Sequence, residues 1–89
     1  MNESKEKFTP GPWIVLHDTN VVSPCNGYIA RAYESPLGPI ANRYNATLIA
    51  CAPEMYVLLE RLQKGHKKGN ATWQLIERVL AKARGEVAP

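Results

Sequence analysis

The sequence predicts an α+β protein: a three-stranded antiparallel β-meander followed by a Pro-interrupted helix and a C-terminal helix, in the order βββαα. Three observations carry this expectation. Up to Tyr33 the apolar residues come in short runs separated by turn residues, as strands require. From Ile40 onward they recur every three or four positions, which is the period of one helix face. Between the first runs stands Asn26-Gly27, a strong hairpin signal, because both types tolerate the positive φ that a tight type I′ turn needs.

The elements follow in order. Pro10-Gly11-Pro12 is a stiff entry to a first strand, Trp13 to His17, both faces of which look half-buried. Asp18-Thr19-Asn20 supplies turn chemistry before a short second strand, Val21 to Ser23. Asn26-Gly27 connects it to a third strand, Tyr28 to Tyr33. That strand places Ile29, Arg31 and Tyr33 on one face and Tyr28, Ala30 and Ala32 on the other, the small alanines admitting a helix closely. Glu34 to Pro39 is a loop by its two prolines and glycine.

An amphipathic stripe of Tyr44, Leu48, Cys51 or Ala52, Met55, Leu59 and Leu62 then marks a long helix, expected to supply much of the core against the sheet. Pro53 cannot donate to the carbonyl of Ile49, so this helix either kinks or splits. In a split, Pro53 and Glu54 open a second helix. Lys64 to Gly69 closes it, Asn70 is a good N-cap, and the last helix, Ala71 to Arg84, is expected to bury Trp73, Ile76, Leu80 and Ala83. The expected organisation is a flexible tail over residues 1–8, one α+β domain over 9–85 and a frayed end over 86–89.

Composition bounds the class. At 45% hydrophobic and 21% charged residues the chain is expected to fold, and 89 residues allow only a thin core, for which oligomerisation is a common remedy. A net charge of +3 suggests an anionic partner but lacks the dense basic stripe of a dedicated nucleic-acid binder. No apolar run approaches a membrane span and no signal-peptide layout is visible, so the expectation is a cytoplasmic protein with no membrane partner, and Cys25 and Cys51 are expected as free buried thiols.

Candidate chemistry is sparse. His17, His66, Cys25 and Cys51 form none of the CxxC, HxxxH or HExxH spacings, and the glycines around His66 do not make a phosphate-binding loop, so no metal, cofactor or catalytic residue is expected. The candidate ligand-binding residues fall in two groups. Arg31, Tyr33, Arg43 and Tyr44 combine guanidinium groups that grip phosphate with rings that stack on bases, although Tyr44 also falls on the apolar stripe. Lys64, His66, Lys67 and Lys68 gather positive charge beside the N-terminus of the last helix, where backbone amides favour an anion.

Two separated segments, TPGPW at Thr9 to Trp13 and ANRYNATLIACAPEMYVLLE at Ala41 to Glu60, together resemble a widespread group of small phage and prophage proteins. Those proteins begin with a TPGPW-like motif and short strands and continue with a helix of the type ANAxLIAxAPE(L/M)xxxLE. The match covers roughly half the chain; Arg43-Tyr44, Cys51 and the basic loop at Lys64 to Lys68 depart from the pattern. The resemblance implies phage origin and a compact strand-then-helix fold. With it comes the expectation of a non-enzymatic anti-defence protein that sequesters a host nucleotide immune signal in a homo-oligomer. The alternatives are an inhibitor that binds a host defence protein and a nucleic-acid accessory protein.

Overall fold

The computed structural model describes residues 7–33 and 36–86. The elements are β1 (Ile14–Leu16), β2 (Asn20–Ser23), β3 (Gly27–Arg31), α1 (Pro39–Ala50), α2 (Ala52–Lys64) and α3 (Ala71–Ala83). This is the α+β order expected, with the proline-interrupted helix resolved into α1 and α2. Most of the expected tail and frayed end, and Glu34 and Ser35 of the expected loop, lie outside the described residues. The chain falls into two compact units, Thr9–Glu54 and a second built from Met55 onward together with Phe8.

In the first unit the three strands form one antiparallel sheet in the order β1-β2-β3. The β1–β2 turn starts one residue earlier than expected: His17 and Asp18, not Asp18 to Asn20, take the positive φ angles of 53° and 65°, so His17 is a turn residue and Asn20 opens β2. Histidine and aspartate are among the side chains that tolerate this region. The second hairpin also departs from the expected two-residue turn. Ser23 pairs with Gly27 across Pro24-Cys25-Asn26, the Asn26 amide donates to the Ser23 carbonyl at 3.2 Å, and only Gly27 is left-handed. Pro24 explains the difference, since its fixed negative φ suits the second position of this turn and forecloses a mirror-image one.

A bulge opposite Val21/Val22 shifts the register of β3, and the Ala32 amide extends the pairing beyond the strand by donating to the Thr19 carbonyl at 2.9 Å. The core of this unit is Val21, Ala32 and Ala46, with Trp13, Val15, Ile29, Ala30, Ile49 and Ala50 packed around them. Ala30 of β3 and Ala32 just beyond it are thus part of the core that α1 covers, as their size anticipated. Only one face of β1 is covered, however: Ile14 and Leu16 are exposed.

The α1 stripe is corrected in phase. The covered side carries Ala46, Ile49, Ala50 and Pro53, whereas Tyr44, at 63% exposure, and Leu48 face outward with Ile40. Asn42, Arg43, Asn45 and Thr47 are interspersed among the apolar residues of this helix, so apolar spacing could not say which side meets the sheet; the small residue at 46 is what permits close approach. Cys51 ends α1 by donating its amide to the Thr47 and Leu48 carbonyls. Pro53, with no amide to give, then sits at the second position of α2 with Glu54 in the first turn.

Pro53 is buried, and a Cβ placed on Gly11 would come within 2.8 Å of its ring. Trp13 closes the same corner, its indole N–H donating to the Thr9 carbonyl at 3.1 Å. The two segments that carried the family resemblance are therefore in contact, and glycine at 11 is what lets them touch.

In the second unit α2 and α3 run antiparallel. Gln63, late in α2, donates to Glu77 at 3.0 Å, while Tyr56, early in α2, receives Arg84 from beyond the end of α3. Asn70 caps α3 as expected, its side chain accepting the Trp73 amide at 2.7 Å. The buried apolar residues are Tyr56 and Leu80, with Phe8 set edge-on to Tyr56 at 5.0 Å between ring centroids. Met55 and Leu62, expected in the core, are exposed, and so is Ala83, whose expected place on the stripe is taken by Arg84.

Candidate binding site

Burial of Ala32 fixes how its neighbours point. Period-two alternation turns Arg31 and Tyr33 outward together, and the Arg31 guanidinium lies 5.1 Å from the centre of the Tyr33 ring. On α1 the inward position of Ala46 leaves Arg43 and Tyr44 exposed, with the Arg43 guanidinium 5.6 Å from the centre of the Tyr44 ring. Cation–π contacts at exposed sites contribute about 0.5–1 kcal/mol each. Neither arginine forms an ion pair among the described residues. The structure thus joins each arginine to the tyrosine beside it in sequence, forming two stacks in the Thr9–Glu54 unit.

The other four candidates, Lys64, His66, Lys67 and Lys68, are exposed at the α2–α3 turn of the second unit. That turn is ordered by backbone bonds from Gly65 to Leu62 and from His66 to Gln63. The Asn70 amide donates to the Lys67 carbonyl at 3.0 Å and the Trp73 amide to the Asn70 side chain. Two donors at the start of α3 are therefore already engaged.

The residue that sequence reasoning missed is Arg84. Its side chain is 4% exposed and bonds Glu86 at 2.8 Å, Glu77 at 3.0 Å and the Tyr56 hydroxyl at 3.3 Å. The Glu86 bond, then the Tyr56 bond, hold the guanidinium pKa above its ordinary value against the opposing effect of burial, with Glu77 contributing further. Glu77 in turn accepts from Gln63. This is a structural clamp between helices, with four of the guanidinium N–H groups already engaged. A signal for it existed: Trp73, Leu80 and Arg84 share the helical spacing that marks the buried side of α3.

Among the described residues no group of three or more His, Cys, Asp or Glu side chains could hold a metal ion, and no helix is long and apolar enough to cross a membrane. Both cysteines are free, Cys51 half-buried but Cys25 exposed in the β2–β3 loop rather than buried as expected.

A family model described as Salmonella phage P22 protein Y8K6 matches residues 1–87. The chain belongs to that family. The matched span takes in both motif segments, the Gly11–Pro53 contact between them and all eight candidate residues, so the membership is to a small phage protein family with this α+β fold. No curated protein and no solved structure matches the chain.

Proposed function

We propose that this phage protein acts by binding rather than by catalysis, in the cytoplasm of the infected cell, and that its ligand is an anionic nucleotide used by the host as an immune signal. A cyclic oligonucleotide or an ADP-ribose derivative has the required chemistry. The observation that carries this reading is the pair of exposed arginine–tyrosine stacks, Arg31 with Tyr33 and Arg43 with Tyr44. A guanidinium held over a ring loses less side-chain freedom when it grips a phosphate, and among the described residues neither arginine is paired with a carboxylate. Sequestration in a homo-oligomer would leave the nucleotide chemically intact, and Lys64, His66, Lys67 and Lys68 would add attraction for anions.

The test is calorimetric titration of the full chain with a panel of cyclic oligonucleotides and ADP-ribose derivatives, followed by recovery of the ligand after heating. The expected outcome is saturable binding of one class, unmodified ligand on recovery, and about 10- to 100-fold weaker binding for Arg31→Ala or Arg43→Ala, the cost of a lost charged hydrogen bond. Conversion of a nucleotide to product would overturn the non-enzymatic reading. Absence of binding across the panel would overturn the nucleotide reading.

One observation favours a second reading, inhibition of a host defence protein by direct contact. Ile40, Tyr44 and Leu48 form an exposed apolar row on α1, of the kind that anchors a protein interface. Nucleic-acid binding is the weaker alternative. Binding to a random duplex that falls steeply with salt would favour it.

A further inference from the structure

The side of α2 that carries Tyr56 and Gln63 is occupied by α3. The flank next to it is apolar and open: Met55 is 44% exposed, Leu58 56% and Leu62 51%. Their spacing of three and then four residues is that of a helix-pairing seam. Glu54 and Arg61 stand one position before Met55 and Leu62, so two helical turns separate them along the same edge of this seam. Both are exposed, and neither is in an ion pair among the described residues.

We propose that this face of α2 binds the same face of a second copy of the chain, with the two helices antiparallel about a two-fold axis. In that arrangement Met55 packs on Leu58 of the second copy and Leu58 on its Met55. Each Glu54 then meets Arg61 of the second copy, so one edge supplies two ion pairs. The alternative parallel pairing lacks this complementarity, because the positions that would face Glu54 and Arg61 across a parallel seam, five residues further on, are Leu59 and His66. Charge therefore selects both the occupant and its direction, and a self-complementary patch closes as a dimer instead of growing into a filament. Met55 and Leu58 of each copy make a small interface, so the dimer is expected to be weak and to depend on protein concentration. The pairing does not depend on what the protein binds, and its test contains no nucleotide.

The experiment is sedimentation velocity of the full chain across a concentration series, with Glu54→Arg and Arg61→Glu variants checked for helix content by circular dichroism. The wild type is expected to pass from monomer to dimer. Each variant alone sets like charges against each other and is expected to dimerise at least about 10-fold more weakly, as like-charge juxtaposition across an interface does. An equimolar mixture of the two variants restores attraction at both ion pairs and is expected to recover a dimer containing one of each. A wild type that stays monomeric throughout would overturn the proposal, as would variants that self-associate as strongly as the wild type or a mixture no more associated than its components.

Discussion

The two units of this protein hold themselves together by opposite means. Thr9–Glu54 relies on small apolar side chains, Val21, Ala32 and Ala46, pressed between a sheet and α1. The unit from Met55 relies on a charged clamp in which Arg84 ties Glu77, Glu86 and Tyr56 together while Gln63 reaches the same Glu77. The first arrangement depends on volume and is unforgiving of any added atom or charge. The second depends on complementarity between groups that would each be costly to bury alone. The difference teaches that an apolar stripe in a short chain does not identify its core: half the residues expected inside are on the surface, and one unit is closed by an arginine.

Four substitutions would break or sharpen this contrast, and urea unfolding followed by circular dichroism and tryptophan fluorescence would measure them. Trp13 and Trp73 mark one unit each. Val21→Asp should have the largest effect, more than about 4 kcal/mol, because it puts an unpaired carboxylate on the fully buried central strand. Loss of the folded baseline, rather than a shifted midpoint, is the expected result.

Arg84→Ala should cost about 2 kcal/mol, between the small worth of surface pairs and the larger penalty of breaking fully buried ones. Its acidic partners are partly exposed and can rehydrate. The Trp73 signal should register the loss. Gly11→Ala should cost about 1–2 kcal/mol, the usual range for an atom forced into a filled space, since the Pro53 ring cannot rotate away. An Ala that left stability unchanged would show that the corner can open. Asn70→Ala should be the mildest, about 1 kcal/mol, through loss of the cap on the Trp73 amide.

Much of the fold was legible in the sequence because the signals were local. Pro53 and Glu54 announced the start of α2, Asn70 its cap on α3, and the alanines of β3 the close approach of a helix. The first turn was misread by one residue and the second by two, Pro24 fixing the geometry of the second ahead of Asn26. The phase of α1 was not legible, because Tyr44 and Leu48 are as apolar as Ile49 and only packing distance favours the side bearing Ala46. Of the candidate site, the sequence gathered Arg31, Tyr33, Arg43 and Tyr44 into one group, and the structure divides them into two separate arginine–tyrosine stacks. Arg84 escaped because a basic residue at the end of a helix is ordinarily explained by the helix dipole, and its partners come from three separated stretches of chain.

The seat of Gly11 on Pro53 sets a rule for how this sequence can change. Gly11 acts through the side chain that it lacks and Pro53 through the ring that fills the space. Neither role can be filled by a conservative neighbour, so the pair constitutes a lock whose halves must be exchanged together. A variant library that randomises position 11 alone should favour glycine, whereas one that also frees position 53 should admit a side chain at 11 chiefly alongside glycine at 53, because the nearest Pro53 atom is its Cβ. Such coupled recovery would turn a motif used to recognise relatives into a ruler for the distance between two parts of the chain.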